Sequence, residues 1–373
     1  MDHLANTSDQ IFKLGKERQL TLARAVAQRS FAFMSANVSG DHPALAYSLF
    51  LVAITEFLSE HYDRAISASQ RAVAIWGNAG PDFARSRAQG LSLLSLAYDA
   101  DGQSEEALRV LVEANGLLIL RVGDSIELAN NSGAIGLVHL FAGRYETARP
   151  YFLRALTLYE KYSAPDSIGV VSTLHNLGLT ARGQRQLADA EVYFTRVAEI
   201  YGRADPVIRR DLAYELSTIA KVQQLQGRLS DAGRTFQRSL VLVEREYGIE
   251  SPEFATAVSD LSNVQFMQGQ IDNAERGFRR AMFIRERTLA ADEPLAAQSM
   301  GNLAYVYIKQ EKFARAESLL RQASAIQLKH PGANQRDLQV TLANLAIALQ
   351  RQGRIREAAA VLEKSRAIQD GTQ

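Results

Sequence analysis

Apolar and polar positions along this chain follow a helical period, and the helical runs come in pairs. Residues 251 to 289 display the unit. Phe254, Val258, Leu261, Val264 and Phe266 recur at roughly helical spacing, Gly269 interrupts the run, and Ala274, Phe278, Ala281, Met282 and Ile284 mark one face of a second amphipathic run. The stretch Ser251-Pro252-Glu253 reads as a helix start: a side chain that caps the first turn, then proline where a backbone N–H would lack a partner. Gly269 supplies the left-handed residue that closes a helix. The pattern predicts two antiparallel helices joined by a short turn.

The unit repeats. Ala65, Ala107, Ala148, Ala190, Ala232, Ala274, Ala316 and Ala358 hold the same place in successive units, 42 residues apart except for 41 between Ala107 and Ala148. A fixed period of this size predicts a solenoid whose units pack only on their neighbours. Five residues before each alanine lies the turn, carried by Gly102, Gly143, Gly227, Gly269 and Gly353, with Glu60, Arg185 and Glu311 as variants. Pro43, Pro81, Pro165, Pro206, Pro252, Pro294 and Pro331 fall between hairpins, and only the Gly123–Asp124–Ser125 junction does without one. The alanine is expected where the second helix crosses the first, facing a small residue twelve earlier (Ser95, Gly136, Gly178, Ala220, Ser262, Ala304, Ala346). A bulky residue follows four later (Leu111, Phe152, Phe194, Phe236, Phe278, Leu320, Leu362). Residues 18–33 place Ala23 one period before Ala65, so a further unit with a short partner helix over 4–14 is expected to cap the N-terminal end.

These spacings carry a family resemblance. Segments TLHNLGLTARGQRQLADAEVYFTRV (173–197) and SMGNLAYVYIKQEKFARAESLLRQA (299–323), with Pro150 inside the second helix of its unit, resemble the tetratricopeptide repeat in its longer, kinesin-light-chain-like form. The resemblance covers roughly residues 16 to 370. It implies an all-α, right-handed superhelical solenoid of about eight tetratricopeptide hairpins plus an N-terminal degenerate half-repeat. In domain terms, residues 1–40 would form N-terminal capping helices and residues 41–373 a single continuous eight-repeat solenoid.

The same resemblance implies that the first helix of each hairpin lines a concave groove. Fourteen before the alanine stand Asn176, Asn302 and Asn344, where an Asn resembles the residue that clamps a peptide backbone; its amide both donates and accepts. Eleven before come Lys221, Asn263 and Tyr305; eighteen before come Tyr214 and Gln298; His175 and Arg182 lie beside Asn176. These ten residues form the candidate peptide-binding groove. The alternative for the asparagines is to bridge neighbouring repeats. The first two units are apolar instead (Phe50, Leu51, Ile54, Phe57, Leu93, Leu96), offering a contact with the N-terminal helix, a surface for self-association or a ligand pocket.

Composition narrows the function classes. A net charge of +1 argues against a dedicated nucleic-acid binder, and no run of 18 apolar residues exists to cross a membrane. Cysteine is absent, which removes disulfides, thiolate metal sites and cysteine catalysis and fits a cytoplasmic protein. The six histidines are scattered without metal-ligand spacing, and no phosphate loop or nucleophile elbow appears. Neither cofactor, metal nor enzymatic activity is expected. Asp189, Glu191, Glu105 and Glu106 read as solvated helix-start charges. The expected function is a scaffold or adaptor that binds a partner's peptide or helix in the groove. The alternative is a regulatory sensor, a peptide- or small-ligand-responsive arm of a larger assembly.

Overall fold

The computed structural model describes residues 2–203, 209–290, 293–330 and 335–369; the junction prolines Pro206 and Pro331 lie outside them. The chain divides into two compact units, residues 1–186 and 187–373. The first holds four hairpins and one further helix: α1 (Asp2–Lys16) with α2 (Leu20–Asn37), α3 (Pro43–Leu58) with α4 (Tyr62–Asn78), α5 (Ala84–Ala100) with α6 (Ser104–Leu117), α7 (Ile126–Phe141) with α8 (Tyr145–Tyr162), then α9 (Ile168–Gly183). The second opens with α10 (Leu187–Arg203). Its hairpins are α11 (Arg209–Leu225) with α12 (Leu229–Tyr247), α13 (Pro252–Met267) with α14 (Ile271–Thr288), α15 (Pro294–Lys309) with α16 (Phe313–Leu328) and α17 (Gln335–Arg351) with α18 (Ile355–Gln369). All regular structure among the described residues is helical, as the repeat implies.

Local chemistry sets the helix ends. The hydroxyls of Ser125, Ser167 and Ser251 accept from the backbone N–H three residues on, at 3.2, 3.4 and 3.1 Å, filling the role expected of Ser251. Pro43, Pro252 and Pro294 open their helices. Every turn residue five before an anchor alanine is left-handed: the glycines at φ between 70° and 80°, and Glu60, Arg185 and Glu311 at 60°, 61° and 60°. The N-terminal unit shares this turn through Arg18 (φ 56°), and its first helix runs from Asp2 to Lys16 rather than over 4–14. The junction without proline, in the unit one residue short of the period, is where α6 runs into a π turn, Leu118–Val122, closed by Gly123 N–H donating to Leu118 O at 2.8 Å.

The core is one crossing made repeatedly. The anchor alanines are all buried, and the residues four beyond them, from Leu111 to Leu320, are buried with them. In the fourth hairpin a Cβ added to Gly136 would sit 2.7 to 2.9 Å from three ring atoms of Phe152, which is only 1% exposed. Glycine here admits the phenyl ring against the backbone of α7.

Gly136→Ala would gain about 1 kcal/mol of helix propensity in an open helix. Overpacking against Phe152 outweighs that, so a net loss of about 1–3 kcal/mol is expected in urea unfolding. An unchanged or raised midpoint would show that α7 and α8 do not approach this closely. At the turn, Glu311→Gly relieves a left-handed strain of about 1–2 kcal/mol against a glycine entropy cost of about 0.5–1 kcal/mol. A small rise in melting temperature is expected, and a fall would contradict the left-handed turn.

Candidate functional site

Within each unit the first helices of consecutive hairpins lie side by side, so residues at neighbouring offsets from the anchor, within about one turn, meet across them. In the second unit α11 and α13 are joined this way: Lys221 Nζ reaches Asp260 Oδ2 at 2.9 Å, and the Ser217 hydroxyl lies 3.2 Å from the same oxygen. Lys221 thus serves a neighbouring repeat's carboxylate. Tyr214 and Asn263 stand exposed on the same two helices. Between α13 and α15, Phe266 and Tyr305 pack with ring centroids 5.1 Å apart, and Lys309 Nζ lies 5.7 Å from the Tyr305 ring centre.

Four of the ten candidate residues converge. Gln298, Asn302 and Tyr305 of α15 face Asn344 of α17 across a cleft of about 430 Å³, which is also lined by Thr341, Asp337 and, from α16, Gln327. Gln327 is 8% exposed, and its Oε1 has no hydrogen-bond partner. A buried amide oxygen left unpaired is costly, by about 1–3 kcal/mol, and an incoming N–H would recover that. The remaining candidates do not share this cleft. Asn176, His175 and Arg182 sit on α9 of the first unit: Asn176 and His175 are half-buried, Arg182 is exposed, and the Asn176 carbonyl accepts from Thr180 Oγ1 at 2.7 Å.

The apolar stretch of the first unit resolves into internal packing. Leu51 joins Ile11, Leu14, Ala23, Val26 and Ala27 of the N-terminal hairpin, and Leu93 joins Ala53 and Ala68, flanked by Phe50, Ile54 and Phe57. Leu96 alone of that set is well exposed.

Glu191 corrects the reading of solvated helix-start charges. It takes Arg228 at 2.6 Å and the Gln223 amide at 2.9 Å, both from the following hairpin. The arrangement recurs with the same separation of 37 residues: Glu275 takes Lys312 (3.4 Å) and Glu317 takes Arg354 (2.6 Å). Gln310 and Gln352 add amide bonds at 2.7 and 2.9 Å. The first unit has a reversed version, Arg149 donating to Gln186. Each carboxylate one residue past an anchor alanine therefore fastens the next hairpin's turn. Glu106, by contrast, is exposed and pairs within its own helix with Arg109.

One buried charge had no sequence signal. Arg285 of α14 is 2% exposed, and its guanidinium lies between two first helices. It donates to Thr256 Oγ1 of α13 at 3.1 Å and to Leu295 O and Ser299 Oγ of α15 at 3.2 and 2.7 Å. Burial pushes its pKa below the ordinary arginine value, and the Asp260 charge opposes the shift. Among the described residues no group of three or more His, Asp or Glu is placed to hold a metal, and no helix is long and apolar enough to cross a membrane.

With this geometry in view, the comparisons with known proteins agree on the fold. The tetratricopeptide-repeat profile matches residues 126–203, 253–329 and 295–370, and the chain belongs to the tetratricopeptide-repeat family, with repeats of the kinesin-light-chain kind. No curated relative matches the sequence. Among solved structures the chain is similar to apo RapI, at 15% identity over 99% of both chains and a TM-score of 0.73. It is similar to the apo form of the quorum sensor NprR from B. thuringiensis, at 12% identity over 99% of this chain and 98% of that one, TM-score 0.63. BtubC (BKLC) from P. vanneervenii shares 18% identity over 65% of this chain and 92% of its own, TM-score 0.51.

The ion-pair ladder has a pH signature. Burial alone would raise the Glu317 carboxyl, but hydrogen bonds from Gln352 and Arg354 and the charges of Arg354 and Arg321 outweigh it and hold the pKa below the usual carboxylate value. A depressed folded pKa means the stabilisation is complete above the unfolded value and is lost as pH falls through the folded one. Glu317→Gln should cost about 1 kcal/mol at neutral pH. The difference from the parent should close in acid below the usual carboxylate range, measured by urea unfolding across pH. A difference that stays constant into acid would remove the carboxylate charge as its source.

Proposed function

We propose that this chain is an interaction module that binds an extended segment of a partner protein along the first helices of its second unit. The observation that carries the reading is the convergence of Gln298, Asn302, Tyr305 and Asn344 on one cleft between α15 and α17. Two asparagine amides at equivalent places on consecutive helices are about one helix-to-helix step apart, which suits pairing with successive peptide groups of an extended chain, each amide offering a donor and an acceptor. Tyr305 provides a face for a side chain between them. Lys221 is held by Asp260, Arg182 sits on the first unit and Lys309 lies against the Tyr305 ring, and among the described residues no cation lines this cleft for a terminal carboxylate; an internal peptide segment suits it better. The partner is a protein or peptide met in the cytoplasm, with no nucleic-acid or membrane-spanning role.

A regulatory version of the same site has its own support. A ligand wedged between α15 and α17 presses on two consecutive hairpins whose joint is fastened by Glu317, Arg354 and Gln352, so occupancy would bias their packing. The quorum sensor NprR shares this fold, which fits such a role. Ligand-dependent compaction in solution scattering separates this version from a passive scaffold.

Screening the full chain against a positional peptide library should enrich a common extended motif. The double variant Asn302→Ala/Asn344→Ala is expected to weaken binding of the enriched peptide by about five- to 150-fold, two lost hydrogen bonds at about 0.5–1.5 kcal/mol each, with helix content unchanged. Undiminished affinity in the double variant would move the binding surface elsewhere.

A further inference from the structure

The internal repeat allows one interstice of the second unit to be compared with the next, one 42-residue period apart. In the earlier interstice the guanidinium of Arg285 fills the space between α13 and α15, bonded to Thr256, Leu295 and Ser299. One period on, these positions become Gln327, Gln298, Asp337 and Thr341. All four line the cleft between α15 and α17. Gln327 is shorter than arginine by the reach of a guanidinium and carries no charge, and the cleft opens where the earlier interstice holds that group. Hydroxyl and carbonyl acceptors equivalent to those of the earlier site recur, Thr341 replacing Ser299 and the backbone at 337 replacing that at 295. The distant counter-charge of Arg285 is Asp260; its equivalent is the neutral Asn302, and an acid enters instead at Asp337.

We propose that the cleft between α15 and α17 is a vacated guanidinium site that receives an arginine side chain from the bound partner. The chemistry of the lining favours a cation. Gln327 Oε1 is a buried acceptor without a donor, and Asp337 is the one acidic residue lining the cleft among the described residues. A planar guanidinium, with five donors in a fixed fork, meets a cluster of amide, hydroxyl and carboxylate oxygens better than a lysine ammonium does. Tyr305 adds a ring face within the same lining. The inference rests on the peptide-binding reading for its biological setting, but the cleft can be tested without a peptide.

The experiment titrates the full chain with N-acetyl-L-arginine N-methylamide and with its neutral citrulline counterpart, following chemical shifts of side-chain amides and the Tyr305 ring. Arginine should bind at least about tenfold tighter than citrulline, with Asp337→Asn narrowing the gap several-fold. Gln327→Arg restores in the chain the group found one repeat earlier. It should abolish the arginine response and raise the melting temperature, which also shows that the variant folds. Equal binding of arginine and citrulline, or an arginine response that survives Gln327→Arg, overturns the proposal. The library screen keeps the two readings apart. An enriched motif without arginine that still depends on Asn302 and Asn344 leaves groove binding standing while the guanidinium site falls. An arginine-selective cleft with no enriched peptide does the reverse.

Discussion

Everything in this molecule depends on how closely the second helix of each hairpin crosses the first. Ala65 and its equivalents remove the side chain at the point of contact, and residues such as Gly136 remove it from the opposing helix. The bulky residue one turn on, Phe152 or Phe278, then packs into the space. Because interiors are close-packed and tolerate little change in volume, that crossing fixes the geometry of each hairpin. A second helix set in this way presents its residue eleven past the anchor between two consecutive first helices. Trp76 meets Tyr47 there (centroids 5.3 Å apart), the Tyr159 hydroxyl donates to Asn130 (2.5 Å), and Arg285 donates to Thr256. The repeat thus holds a constant frame around a position whose side chain changes from unit to unit: Trp76, Tyr159, Arg285 and Gln327.

The electrostatic layer is arranged around the same frame. Glu191, Glu275 and Glu317 lie one residue beyond their anchor alanines, and each reaches a cation four residues before the next anchor. Where Gly233 takes that place, the fastening passes to Gln268, whose amide donates to Leu229 O at 2.9 Å. These ties sit at the turn end of the hairpins, while the amide-rich cleft lies between first helices.

How far the sequence foretold the molecule follows from the range of the interactions. The hairpins, caps and left-handed turns are local, so Ser251, Gly269 and Glu311 were legible from their neighbours. Asn302, Asn344, Gln298 and Tyr305 were legible as a group because a fixed offset in a repeat maps onto a fixed face. What a residue pairs with across hairpins was not legible. Glu191 reads as a solvated charge until Arg228, 37 residues away, is placed beside it, and Lys221 reads as a free cation until Asp260 takes it. Arg285 reads as one more basic residue on a polar helix, since only the packing of α15 over it shows that it is buried. The apolar stretch around Leu51 was open between three readings, and the N-terminal hairpin occupies it.

The central claim is that binding occurs between α15 and α17. Hydrogen exchange of the full chain, with and without a library-enriched peptide, tests it most directly. Added protection concentrated in residues 294–309 and 335–351, and absent from the same peptide with the Asn302→Ala/Asn344→Ala chain, is the predicted result. Protection confined to the first unit, or to the second helices of the hairpins, would contradict the account.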